Sequence, residues 1–272
     1  MTRSDSPLPD PPELNELHVG LLVVDHVRDE FVATHGDYPA MFRSLLLAAA
    51  PPGLALRFTD FDVPAGELPA DMDAADGWLI TGSRDSVYDP LPWIEDLCAF
   101  VRRLHAAQRP LVGICFGHQL VADALGGRTA PADGGWAVGV HESRITVATE
   151  DAPRWLSPAP ERVSLLSSHK DQVVELPTEA RRIATNDFCP NAGFTVGEHL
   201  LCLQGHPEFS KPYARDLMNF RRELLGPAVH DEGIASLAEP IQGALVGRWM
   251  LACLLQGRTA AQGPALAVGA AS

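Results

Sequence analysis

Short runs of apolar residues alternate along the chain with longer stretches in which apolar positions recur every three or four residues. The short runs, HVGLLVVD (18–25), ALRFTDF (55–61), GWLITGS (77–83), PLVGIC (110–115) and HLLCLQGH (199–206), predict strands. The longer stretches, YPAMFRSLLLAAA (38–50), WIEDLCAFVRRLHAAQ (93–108) and GHQLVADAL (117–125), predict crossover helices, each with Gly or Pro close behind. Between 138 and 197 the segments shorten and alternate, as in VGVHESRITVA (138–148) and RVSLLSS (162–168), which fits antiparallel strands added at one edge. The pattern predicts an α/β fold with a mixed sheet covered by helices.

Neither end of the chain carries that pattern. Residues 1–16 are Pro- and acid-rich, and residues 258–272 are small and Gly-punctuated, so both are expected to be flexible tails around a folded body at 17–257. The chain has 272 residues, 46% of them hydrophobic, enough to bury one substantial core. A formal charge of −14 would repel a phosphate backbone, and no basic run exceeds an Arg pair, so nucleic-acid binding is disfavoured. IQGALVGRWMLACLL (241–255) is too short to span a bilayer and carries Arg248, so no membrane association is expected. Five widely spaced cysteines, without a C-x-x-C pair, argue against a disulfide framework and for a reducing compartment. With no secretory leader at the start, the expectation is a cytoplasmic protein.

The chemistry concentrates at two places. Residues 113–117, Gly-Ile-Cys-Phe-Gly, follow an apolar strand and precede a helix. This is the G-x-S-x-G nucleophile elbow with Cys115 in the nucleophile position, where two glycines permit a turn too tight for side chains. The turn sets Cys115 at a helix N-terminus, whose partial positive charge favours the attacking thiolate. Cys98, Cys202 and Cys253 sit inside apolar patterns and read as core, and Cys189 lies in a loop without a partner. A thiol nucleophile needs an imidazole, and the imidazole an acceptor. His206, in Gln-Gly-His-Pro-Glu at a strand end, has Glu208 two residues on and on the same side of an extended chain.

Weaker candidates surround these. His118 and Gln119 open the helix after the elbow, where they reach the pocket or merely favour the first turn. His169 and Asp171 lie in a loop after a strand, with a hydrogen-bonded loop role and a substrate role both open. An oxyanion needs donors: the Phe116 amide is one, and the strand terminus Gly82-Ser83 offers another, unless Gly82 is a plain turn residue. No H-E-x-x-H or His/Cys cluster stands at metal-ligand spacing, so no metal and no other cofactor is expected.

G-I-C-F-G-H-Q (113–119) followed by Q-G-H-P-E (204–208) resembles the class I glutamine amidotransferases. Further stretches, DEFVATHGDYPAMF (29–42), TGSRDSVYDPLPWIEDLC (81–98), SHKDQVVELP (168–177) and EHLLCLQGHPEFSK (198–211), are similar to the stand-alone γ-glutamyl peptidase branch, over about 25–225. The resemblance implies a flavodoxin-like amidotransferase fold, with a mixed, mostly parallel sheet flanked by helices and a small antiparallel edge. It implies a Cys115–His206–Glu208 triad acting through a γ-glutamyl thioester. It also implies backbone donors at Gly82 and Phe116, and substrate contacts at Ser83, Gln119, His169 and Asp171. The expected substrate is glutamine or a γ-glutamyl compound. The chain departs from the family by its Pro-rich start, its C-terminal extension and Lys170 within the H-x-D loop. It has two lysines, neither in a G-K-[ST] context, and no S-G-G-x-D-S loop, so an ammonia-accepting synthetase would be a separate chain. Three readings follow: a γ-glutamyl hydrolase or peptidase, a glutaminase component serving a synthetase, and a binding module that keeps the fold without the chemistry.

Overall fold

The computed structural model describes residues 15–148 and 151–256. The expected tails at 1–16 and 258–272 lie outside the described residues, apart from Asn15 and Glu16, which start the first strand.

Five strands form a parallel half-sheet in the order β2-β1-β3-β4-β11. They are β1 (Asn15–Val23), β2 (Leu54–Asp62), β3 (Gly77–Ile80), β4 (Leu111–Ile114) and β11 (Leu200–Leu203). The last three are buried along their whole length, as a sheet covered on both faces requires. Alternation along β1 divides the core. Leu17, Val19 and Leu21 pack with Phe42 and Leu46 of α2 (Tyr38–Ala49) and Trp249 of α7 (Gly243–Leu254). Leu22, with Trp78 and Ile80 of β3, packs with Leu97 and Phe100 of α3 (Pro92–Ala106) and Leu120 of α4 (Phe116–Ala124). The apolar stretch near 241–255 is thus a buried cover helix of 12 residues, and among the described residues no helix is long and apolar enough to cross a membrane.

Beyond β11 the sheet continues antiparallel as β10-β9-β6-β7: β6 (Ala137–Ile145), β7 (Arg162–His169), β9 (Ala180–Thr185) and β10 (Gly193–Val196). A separate ribbon pairs β5 (Arg128–Pro131) with β8 (Asp171–Glu175). A short helix, α1 (Asp29–His35), buries none of its residues, which is why it leaves no apolar period to read. Two helices, α5 (Lys211–Phe220) and α6 (Arg222–Ser236, kinked at Gly226-Pro227), cover the antiparallel half through Tyr213, Leu217, Met218 and Leu225, which pack on Val138 and Leu166.

That half curls back. Although β10, β9 and β6 stand between β11 and β7 in the sheet order, the His206 N–H donates to the Leu166 carbonyl of β7 at 2.7 Å. The curl carries residues 168–171 to the carboxyl ends of the parallel strands.

Candidate active site

Strands β3, β4 and β11 are neighbours, with Ile80 opposite Gly113 and Leu203 opposite Ile114. The residues that follow them, Gly82, Cys115 and His206, therefore emerge side by side at one end of the sheet, where ligands of open α/β sheets bind. A Cβ placed on Gly82 would stand 3.1 Å from His206 Cε1 and 3.6 Å from Cys115 Cβ.

The elbow is strained as its motif requires. Cys115 has φ 54° and ψ −100°, a conformation costly for a residue with a side chain. A Cβ on Gly113 would come within 2.6 Å of the Gly117 carbonyl oxygen, and one on Gly117 within 2.7 Å of the Ile80 carbonyl oxygen. Strand and helix can close on each other only because both positions are glycine. The turn is fixed by bonds from the Cys115 N–H to the Leu203 carbonyl (2.9 Å) and from the Gln119 N–H to the Cys115 carbonyl (3.1 Å). Phe116 is the first residue of α4, a position whose N–H has no acceptor within the helix.

His206 Nδ1 lies 2.7 Å from Glu208 Oε1, in a pair whose side chains are 5% and 1% exposed. Its other nitrogen is left for the Cys115 thiol, with which the ring shares a hydrogen-bonding interaction. Burial would lower its pKa, but the Glu208 carboxylate and Cys115 outweigh that and push it up to about 10. The imidazole packs face to face on Phe209, with centroids 3.9 Å apart, and Phe209 lies nearly parallel to Tyr38. The other cysteines contrast with Cys115: burial raises the Cys98 and Cys189 thiols to about 11 and 12, and those of Cys202 and Cys253 well above the ordinary range.

The remaining candidates divide by contact. Gln119 donates from Nε2 to the Asp171 carbonyl (2.7 Å) and to Gln204 Oε1 (3.1 Å), and Gln204 donates to Cys115 Sγ at 3.6 Å. His169 Nδ1 donates to the same Asp171 carbonyl at 3.1 Å. Burial holds His169 down to about 3, so it is neutral near neutral pH. The Asp171 carboxylate accepts from the Ser86 hydroxyl at 2.5 Å and the Tyr88 hydroxyl at 3.1 Å. The Ser83 hydroxyl accepts the Asp85 N–H at 3.1 Å, inside the loop after β3. His118 is fully buried against Phe194, and burial lowers its pKa to about 3.

Two residues at the site carried no sequence signal of their own. Gln204 lies in the QGHPE stretch but reaches the sulfur only through the fold. Arg221, where α5 meets α6, donates from Nη1 to Ser168 Oγ at 2.8 Å, lies over Trp136 and is within electrostatic reach of Cys115. It forms no ion pair with a carboxylate among the described residues.

An α/β sheet that lifts a strained thiol against a buried imidazole–carboxylate pair defines an elbow-type cysteine protein. The comparisons narrow this. The family model "Glutamine amidotransferase class-I" matches residues 41–222, and the chain belongs to that family. It is 32% identical over 155 residues to γ-glutamyl peptidase 3 of Arabidopsis thaliana, covering 56% of this chain and 62% of that protein. It is 34% identical over 162 residues to γ-glutamyl peptidase 2 of the same plant, covering 58% and 64%. The chain thus spans a little under two thirds of these curated relatives. The glutamine-hydrolyzing GMP synthase component of Halobacterium salinarum, itself one chain of a larger enzyme, is 31% identical over 189 residues, covering 69% of this chain and 88% of that one. Among solved structures, a glutamine amidotransferase from Methylobacillus flagellatus superposes with a TM-score of 0.67 at 17% identity, over 90% of this chain and 96% of that one, a likeness of fold.

Proposed function

We propose that the chain is a cysteine-dependent hydrolase of γ-glutamyl amide bonds, with Cys115 as nucleophile, His206 as acid–base and Glu208 as its orienter. The observation that carries this is the buried His206 ring, charged by Glu208 on one side and adjoining the Cys115 thiol on the other. An imidazolium beside a sulfur at a helix N-terminus favours the thiolate, which is the attacking species. The sulfur attacks the γ-carbonyl carbon, an S–C bond forms, and the carbonyl oxygen takes the charge, with the Gly82 and Phe116 amides as its donors. The C–N bond then breaks as His206 gives its proton to the departing amine. Water attacks the thioester, His206 takes its proton, the C–S bond breaks, and glutamate leaves with the thiolate restored.

The surroundings suit a γ-glutamyl unit. Arg221 supplies a cation for a substrate carboxylate. Each Asp171 oxygen keeps a lone pair beyond those used by Ser86 and Tyr88, and so can accept from an α-ammonium group. Gln119 spends both N–H groups on protein acceptors, so only its Oε1 remains for a substrate. One observation favours a second reading, delivery of ammonia to a separate synthetase: the likeness to the GMP synthase component over 88% of that protein.

The test measures glutamate released from glutamine, γ-glutamyl dipeptides and glutathione conjugates. Faster release from the peptides than from glutamine is expected. Release from glutamine alone, and only when a synthetase chain is added, would favour the second reading. No release from any substrate, with an unreactive Cys115, would leave only a binding module.

A further inference from the structure

Gln204 is 1% exposed, and its backbone N–H is tied to the Ala192 carbonyl at 2.9 Å. Its side chain ends a relay of amides whose orientation is set from the far end. The Asp171 backbone carbonyl can only accept, so the Gln119 atom 2.7 Å from it is the amide nitrogen. That nitrogen also faces Gln204 at 3.1 Å, so the facing Gln204 atom is Oε1. The remaining atom is Nε2, which points at Cys115 Sγ from 3.6 Å. Reversing either amide would set donor against donor or acceptor against acceptor in a buried site, at full desolvation cost.

We infer that Gln204 is a further catalytic residue: its Nε2 donates a hydrogen bond to the Cys115 sulfur and stabilises it as the anion, while Gln119 is the positioning residue that fixes the direction of that amide. This rests on Cys115 being the nucleophile and deepens that reading. Sulfur is anionic before the S–C bond forms and again as the thioester S–C bond breaks and its electron pair returns. In the thioester between, sulfur is neutral and a poor acceptor. A donor fixed on the sulfur therefore favours the thiolate both as resting nucleophile and as leaving group. His206 loses its charge when it hands its proton to the amine, whereas a neutral amide keeps its N–H throughout the cycle.

The charged and titratable groups facing the sulfur are His206 from the turn after β11, Arg221 from the α5–α6 junction and Cys189 from the loop between β9 and β10. All three remain in Gln204 variants. The experiment is the pH dependence of iodoacetamide alkylation of the full chain without substrate, with Cys115→Ser giving the background from the other thiols. Gln204→Met, similar in size but without a donor, is expected to move the midpoint to higher pH by about one unit and to slow alkylation near neutral pH about tenfold. Gln119→Met leaves Gln204 in place without its orienting partner and is expected to move the midpoint the same way by less. A midpoint unchanged in Gln204→Met overturns the inference. Should that variant fail to give the parent's circular dichroism spectrum, Gln119→Met decides: a raised midpoint supports the inference and an unchanged one overturns it. Because no γ-glutamyl compound is present, the result is independent of whether the substrate panel releases glutamate.

Discussion

Strand β11 is flanked by two histidines of equal burial and opposite character. His199 precedes its first residue, His206 lies three past its last, and each is 5% exposed. Burial, together with the imidazole of His105 stacked on it at 5.2 Å, holds His199 down to about 4. Burial pulls His206 the same way, yet Glu208 and Cys115 carry it up to about 10. Desolvation sets the stakes for a buried imidazole, and the partner sets the sign. A buried histidine at a strand end is therefore no mark of chemistry in itself. The mark is an acid placed to hold one nitrogen and a nucleophile within reach of the other.

The largest expected effect removes the nucleophile. Cys115→Ser should cut glutamate release about 10⁴-fold or more, because a serine lacks the thiol's acidity, while the circular dichroism spectrum stays unchanged. It should also lower the His206 pKa, read by NMR of the ring, since one of its two raising partners is gone. Retained turnover would remove Cys115 from its role. Glu208→Gln removes the other partner and should lower kcat about 10²- to 10⁴-fold with little change in KM. In that variant His206 should titrate below its position in the parent, closer to the behaviour of His199. A loss confined to KM would break the orienter assignment.

The smallest effect concerns stability. His118 and His169, at about 3, and His199, at about 4, all lie below their ordinary 6.5. The unfolded chain therefore binds protons that these folded rings refuse. Their stabilisation is complete above pH 6.5 and is lost as pH falls toward 3 to 4, so Tm should decline between pH 6.5 and 4.5. His206 is charged in the folded state throughout that window, so its own contribution does not produce the decline. His199→Gln should shallow the decline while leaving turnover within about twofold. An unchanged slope would mean that His199 is not held neutral.

The parallel half was legible because each of its strands is an apolar run with a helix after it, and residues 113–119 and 204–208 announce their local turns. The antiparallel half was legible only as a region: β9 and β10 were not separable within 138–197, and α5 to α7 were not delimited, α6 being broken at Gly226-Pro227. The site divides in the same way. Cys115, His206 and Glu208 carry their geometry in spacings of a few residues. Gln204 meets the sulfur 89 positions away, and Arg221 meets Ser168 across 53. Such contacts are products of the curl that brings β7 to His206, and no local pattern encodes them.

The stacking of His206 on Phe209 has a consequence for how the imidazole can work. A ring clamped by its faces cannot turn over without prising the start of α5 from its neighbours. Its two nitrogens therefore keep separate careers through every cycle, one permanently assigned to the acid and the other to the thiol. The proton travels in a single plane, and the side chain that carries it behaves as a fixed relay rather than a swinging arm.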